Sequence, residues 1–401
     1  MESALSRIFE RSYALTKHAD QRFKRSLYHR IDWNQRLLGI KGARGVGKTT
    51  ILLQRLQSLN LPTETAIYLS MDNVFLSGMD VPELLDDYYK RGGRMLFLDE
   101  VHKYKGWSAL LKHLYDAYPD LKLVFTGSSV IDIARREADL TRRARMYHLH
   151  GLSFREYMAF KDGINLPEIT LEEIITNASE KVKLLPEDFQ PLKHFEPYLR
   201  RGYYPFFKED PEGYPERLQH MLRLIVEYDM AEIAEFDLRN AAKVLRLVAV
   251  IAGSVPFKPN ISKLAVKTEI HRNSLTQYLH YLAEAKVIRP LYPSGKSSAV
   301  LQKPEKIYLD NTNLIYALDP STPDTGNLRE TFFAEAVSRK HRLNFSGQGD
   351  FFVDDQYTFE VGGPGKTMRQ IKHLDNAWLV KDRQEYPVGR DLPLWMFGLL
   401  D

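Results

Sequence analysis

The chain has no cysteine, which excludes disulfides, thiolate zinc sites and cysteine nucleophiles together. It also has no uninterrupted apolar run near the ~20 residues needed to span a bilayer; its richest stretch, residues 244–255, is short and carries Arg246. The first twenty residues are mixed polar and charged, without the apolar core of a secretory signal. Internal repeats and low-complexity tracts are missing as well. Charge of one sign is scarce in excess, because 56 basic against 52 acidic side chains leave a formal +4. Bulk charge therefore permits a nucleic-acid partner without calling for one. These absences suit a protein of the reducing cytoplasm with no membrane partner.

What is present is a globular chain. At 401 residues, with 44% hydrophobic and 27% charged side chains, it is too long for one ordinary core and rules out wholesale disorder. Residues 36–41, 66–70, 95–99, 122–126 and 146–150 read as five short strands. Helical spacing fills the intervals, as at 49–58 and 107–118, which is the pattern of a parallel α/β sheet. Past Gly151 the texture turns helical, with Pro167, Pro186 and the Gly202 to Pro205 stretch as breakers. Residues 241–252, 261–268 and 273–285 read as three helices. Runs at 287–291 and 299–302 then flank a Pro-Ser-Gly-Lys turn, the order of a winged helix. The last block combines a helix at 328–340 with strand-like runs at 350–353, 357–361 and 377–380.

The strongest local signal is Gly42-Ala43-Arg44-Gly45-Val46-Gly47-Lys48-Thr49, followed by Thr50, which fits G-x-x-x-x-G-K-[ST]. The glycines let successive backbone amides point into one cavity, which meets the positive end of the following helix. Lys48 is then expected to reach the β- and γ-phosphates of ATP, and the Thr49 hydroxyl to ligate Mg²⁺. An apolar strand ending in Asp99-Glu100 supplies the other half of the site. Asp99 is expected to hold magnesium through its water shell and Glu100 to polarise the attacking water. A third strand runs into Gly127-Ser128-Ser129, where Ser128 or Ser129 is the candidate contact for the γ-phosphate or the water.

The runs GARGVGKT (42–49), LFLDEVHKY (96–104), VFTGSS (124–129) and LSFREY (152–157) resemble a group of AAA-like bacterial and archaeal P-loop ATPases. These join a P-loop domain to a C-terminal domain of unknown function containing a winged helix and a restriction-endonuclease-like unit. Residues 202–205, 306–310 and 359–363 look family-like too. The resemblance implies an ATPase domain over residues 1–151 with an N-terminal helical segment and a sheet of about five strands. A strand is expected between the phosphate-loop and magnesium strands. A helical connector over 152–239, a winged-helix domain over 240–309 and a PD-(D/E)XK-like α/β domain over 310–401 are expected to follow. It also implies a γ-phosphate-sensing role for Arg143, acting in its own chain or a neighbour's.

Two further expectations concern the rear half. A winged helix would offer DNA or a protein partner its third helix, exposing His271, Arg272, Asn273, Gln277, His280 and Glu284, with Lys263, Lys267, Lys286, Arg289 and Lys296 on the flanks and wing. The nuclease-like pattern is Asp350, then Glu360-Val361-Gly362, with Glu330 as a helix carboxylate. Gly362 stands where lysine belongs, and Lys366 would fold back only through an unusual turn, so this unit reads as a degenerate nuclease site. The whole reads as Mg-dependent ATP binding with slow hydrolysis, driving a switch that acts through the C-terminal domains. The alternatives are a nucleotide-gated DNA-binding or DNA-cleaving protein, or an ATP-locked adaptor in a toxin–antitoxin or defence system. A monomer, dimer or larger oligomer fits equally.

Overall fold

Five short apolar runs build the first sheet: β1 (Leu37–Lys41), β2 (Ala66–Ser70), β3 (Met95–Asp99), β4 (Lys122–Gly127) and β5 (Arg145–His148). All pair in parallel, in the order β2-β3-β4-β1-β5. A parallel sheet covered on both faces needs near-continuous apolar strands, as in Leu96, Phe97 and Leu98, each at most 1% exposed. β4 lies between β1 and β3, as expected for the inserted strand. Mid-strand Gly39 is required by close packing, since a Cβ there would meet the Met146 sulfur at 2.4 Å and the Phe125 ring at 2.6 Å.

The computed structural model describes residues 2–127, 140, 142–230, 236–253, 259–295, 303–319 and 323–400. They fall into two compact units, Met1–Gly151 and Leu152–Asp401. In the first unit the helices are α1 (Glu2–Lys17), α2 (Ser26–Arg30), α3 (Lys48–Leu59), α4 (Val81–Lys90) and α5 (Trp107–Ala117). Asp80 caps α4 by accepting from the Glu83 amide. Trp107 opens α5 and packs on Phe125 of β4. The core collects Leu37, Ile67, Leu98, Leu123 and Phe125 from the strands and Leu85, Tyr88 and Leu111 from the helices.

The second unit begins with α6 (Phe154–Asp162), α7 (Leu171–Val182), α8 (Pro191–Arg201) and α9 (Tyr214–Leu224). The family-like run at 152–157 has a local cause. Ser153 accepts from the Glu156 amide while the Glu156 carboxylate accepts from the Ser153 amide, a reciprocal cap that starts α6. Next come α10 (Ala241–Ala252), α11 (Ile261–Thr268), α12 (Arg272–Glu284) and an antiparallel pair, β6 (Ile288–Leu291) with β7 (Lys306–Leu309). The described partner of β6 is β7; the run expected at 299–302 lies outside the described residues. Buried Ile307, Tyr308 and Leu309 make 306–309 the run that gains by pairing.

The chain closes with α13 (Thr312–Leu318), α14 (Thr325–Val337) and a second sheet of β8 (Leu343–Phe345), β9 (Phe351–Val353), β10 (Tyr357–Gly362), β11 (Ala377–Lys381) and β12 (Asp391–Pro393). Its order is β12-β11-β10-β9-β8, with β8, β9 and β10 antiparallel and β10, β11 and β12 parallel. Helix α14 starts three residues before the sequence expectation because Asp324 caps it at the Asn327 amide. The segments at 202–205 and 306–310 meet in one buried polar network. Tyr203 donates to Asp310 and, through its amide, to Asn313, while Arg289 donates to Asp310 at 2.6 Å. That removes Arg289 from the expected DNA-facing set, because its guanidinium is committed to a buried carboxylate. Lys296 lies outside the described residues.

Candidate functional site

Every strand of the first sheet points the same way, so the loop after β1, the end of β3 and the end of β4 share its carboxyl edge. The loop from Gly42 to Gly47 joins β1 to α3. Gly45 and Gly47 take φ of +81° and +99°, which side-chain-bearing residues avoid. A Cβ on Gly42 would meet the Leu149 carbonyl oxygen at 2.3 Å, so that position admits no larger residue without backbone movement. Lys48 opens α3 and is 5% exposed. Its ammonium donates to the carbonyls of Gly42 at 3.0 Å and Ala43 at 2.9 Å, so the loop wraps its own lysine. Ala43 and Val46 are buried, Arg44 is half-buried, and Thr49 and Thr50 are exposed on the first turn of α3.

The back of the loop is held by a residue that sequence reading missed. Arg25 is buried and donates to the carbonyls of Val46 at 2.8 Å, His150 at 2.8 Å and Gly151 at 2.9 Å. One guanidinium fork thereby ties the loop to the exit of β5. No sequence pattern marks Arg25, since its partners are backbone atoms far along the chain.

Asp99, at the end of β3, is 2% exposed. Its Oδ2 accepts from the Thr49 hydroxyl at 2.6 Å and the Tyr68 phenol at 2.8 Å. Its Oδ1 accepts from the Thr126 hydroxyl and from the Glu100 amide at 3.2 Å. The structure thus brings Thr49 and Asp99 together. Their hard oxygens suit Mg²⁺, which takes one or two protein oxygens and fills its remaining positions with water and phosphate.

Glu100 takes a left-handed backbone, φ 52° and ψ 43°, uncommon for a residue with a Cβ. Its amide also donates to Thr126 at 3.3 Å. The Glu100 carboxylate lies 3.5 Å from Nε2 of His102, whose side chain is wholly buried. Burial, with Lys103, Lys48 and Arg44 nearby, lowers the His102 pKa to about 3. The imidazole is therefore neutral near pH 7.

Other sequence candidates are placed differently. Ser128 and Ser129 lie outside the described residues; from β4, the Thr126 hydroxyl, two residues earlier, reaches Asp99. Arg143 precedes β5 and forks onto Asp116 near the end of α5 at 3.0 and 3.1 Å. A residue just before a parallel strand sits at the amino edge of the sheet, opposite the loop, so Arg143 is not brought to the loop of its own chain. Residues 28–33, ahead of β1, pack beside α3. Tyr28 hydrogen-bonds Ser58 at the far end of α3, and Trp33 stacks under Arg55.

A second cluster occupies the C-terminal unit. The ammonium of Lys306, on β7, joins Glu330 of α14 and Asp350 ahead of β9, at 3.0 Å each. The Tyr308 phenol donates to Glu330 at 2.6 Å, and Asp350 accepts the Val361 amide at 3.0 Å. Lys366 does fold back: its amide closes a turn on the Gly363 carbonyl at 3.0 Å, and its ammonium pairs with Glu360. The side chain lies across Gly362, where a Cβ would meet the Lys366 Cβ at 2.6 Å. Burial and then the charge of Asp350 raise the pKa values of Glu330 and Glu360. For Lys306, burial is outweighed by Asp350 and Glu330, so its pKa also rises. Lys306 was not foreseen, because nothing along the chain announces that β7 would face α14. Among the described residues, no group of three or more histidines or carboxylates is arranged to hold a metal ion.

Comparison with known proteins agrees with the first sheet. Residues 34–158 match the family model of an AAA domain, and residues 192–325 match that of a domain of unknown function (DUF8612). An uncharacterized protein of Methanocaldococcus jannaschii is 28% identical over 393 residues, 89% of this chain and 81% of that protein. Among solved structures, C. elegans PCH-2 is 13% identical, over 69% of this chain and 68% of its own, with a TM-score of 0.25. The replication initiator DnaA bound to AMPPCP and single-stranded DNA is 14% identical, over 68% and 88%, at 0.27. The S. cerevisiae Hsp104–ADP complex is 15% identical, over 69% and 41%, at 0.31. The parallel five-stranded sheet, its phosphate-type loop and the AAA-domain match over 34–158 give the first unit the fold of a P-loop NTPase.

Proposed function

We propose that the protein binds Mg-ATP at residues 42–50, hydrolyses it slowly, and uses the cycle to switch the state of its C-terminal unit. The carrying observation is the 2.6 Å hydrogen bond between Thr49 and Asp99 at the mouth of the lysine-wrapped loop. In this reading the amides around Gly45 and Gly47 and the α3 N-terminus bind the phosphates. Lys48 exchanges its two carbonyl partners for β- and γ-phosphate oxygens. Thr49 and Asp99 hold Mg²⁺, which when bound neutralises charge developing on the phosphates. Glu100 orients and polarises the attacking water, held from behind by neutral His102. Arg143 keeps only the neighbouring-subunit role, and Ser128 or Ser129 remains the candidate at the tip of β4.

The reading is tested by thermal melts with and without Mg-ATP. A stabilisation that Lys48→Ala abolishes, with the ligand-free melt near wild type, supports it; nucleotide-insensitive melts of the wild type contradict it.

For the rear half we propose a partner-binding module over 240–309 and a degenerate nuclease-like unit over 310–401. Three helices followed by an antiparallel strand pair keep the winged-helix order. Its exposed cations include Lys263, Lys267 and Arg272, with the apolar Val266 81% exposed among them. That mixture favours a protein partner over duplex DNA, whose binding needs many phosphate contacts. Retention on duplex DNA that falls steeply with salt would favour DNA instead. The ammonium groups of Lys306 and Lys366 already pair with the carboxylates at 330, 350 and 360, which supports scaffolding over cleavage.

A further inference from the structure

We propose that Tyr68 is a positioning residue for Asp99, its phenol holding the carboxylate in the orientation that meets Thr49 at the magnesium site. This rests on the Mg-ATP reading above. Tyr68 lies on β2, next to β3, paired in register with Phe97 two residues before Asp99. It is 7% exposed, and its hydroxyl donates to Oδ2 of Asp99 at 2.8 Å, the same oxygen that accepts from Thr49. Burial, then the charge of Asp99, raises the phenol pKa far above its usual value.

Two features make this contact more than core satisfaction. The carboxylate torsion of an aspartate is broad and roughly two-fold, so only its hydrogen bonds fix the oxygens. Among the described residues, three of the side-chain carboxylate's donors belong to elements expected at a nucleotide site: Thr49 on the loop helix, Thr126 on β4 and the Glu100 amide. Tyr68 is the described donor from outside that set, and it enters from edge strand β2. The strand is itself pinned at this residue, because the Tyr68 amide donates to the Ser12 hydroxyl of α1 at 2.9 Å and Ser12 is 1% exposed. Such outer partners of metal ligands commonly change metal affinity or activity by about 10–100-fold when removed.

The test compares wild type, Tyr68→Phe and Tyr88→Phe. Tyr88 is a second buried tyrosine of the same unit, whose hydroxyl donates to the Thr65 and Met95 carbonyls at 2.8 and 2.9 Å. The full-length proteins are titrated with Mg²⁺ in the presence of a non-hydrolysable ATP analogue, and nucleotide-dependent stabilisation is read by thermal melt. Tyr68→Phe is expected to raise the Mg²⁺ concentration at half-effect by about tenfold or more, with stabilisation recovered at saturating Mg²⁺. Tyr88→Phe is expected to lower the ligand-free melt without moving the Mg²⁺ midpoint. An unchanged midpoint in Tyr68→Phe, or one displaced no more than in Tyr88→Phe, overturns the assignment. If the wild type shows no Mg-nucleotide stabilisation, the parent reading fails instead, so the two failures are distinguishable.

Discussion

His102 makes the first unit acid-sensitive in a way that a single substitution removes. Its imidazole is wholly buried beside Glu100, and its pKa is lowered from 6.5 to about 3 by burial and then by Lys103, Lys48 and Arg44. The folded state therefore keeps it neutral, whereas the unfolded chain takes up a proton below about pH 6.5. Stability is fully present above the unfolded value and is lost as pH falls from 6.5 towards 3. At 1.36 kcal/mol per pKa unit, the loss is about 2 kcal/mol between pH 7.5 and pH 5. His102→Gln keeps an amide donor but cannot titrate, so its fall over the same interval should be smaller by about that amount. Denaturant unfolding of both proteins at both pH values measures the difference. Hydrogen exchange in peptides from residues 95–127 assigns the transition to the first unit. Equal pH dependence in wild type and variant would refute the reasoning.

Three further outcomes follow from the same geometry. Glu100→Gln should retain the Mg-ATP melt shift while lowering turnover by at least about 100-fold, as measured by phosphate release. Arg25→Lys should fail to replace the fork onto three carbonyls, costing roughly 2 kcal/mol or more of stability and weakening the nucleotide-dependent shift. Lys306→Ala should destabilise the C-terminal unit by about 3–5 kcal/mol by leaving buried carboxylates without their cation. Adding Glu330→Gln to Lys306→Ala should recover part of that loss in a denaturant melt.

The first sheet was legible because parallel strands covered on both faces are written as continuous apolar runs. Each of the five appears within about two residues of its expected place, and residues 66–70 and 95–99 match at both ends. In the rear unit the amphipathic helices at 241–252 and 261–268 were legible for the same kind of reason. The short strands at 343–345 and 391–393 were not, because three residues carry no periodicity. The phosphate loop, Thr49 and Asp99 announce themselves by spacing. The groups that hold them do not: Arg25, Tyr68 and His102 act through backbone carbonyls, a neighbouring strand or a local left-handed turn. For Arg143 the family pattern left open its own chain or a neighbour's, and strand direction leaves the neighbour's. The direction of β5 was readable, and it alone places the residue before that strand at the edge away from the loop. Lys306 illustrates a third case, where two ion pairs depend on a strand packing against a helix that begins sixteen residues beyond it.

The central claim is that residues 42–50 cradle a triphosphate with magnesium held between Thr49 and Asp99. Isothermal titration of the wild type and Lys48→Ala with a non-hydrolysable ATP analogue, with and without Mg²⁺, tests it most directly. Magnesium-dependent binding at about one site per chain, lost in Lys48→Ala, is the predicted result. Absence of binding to the wild type, or binding that ignores both magnesium and Lys48, would contradict it.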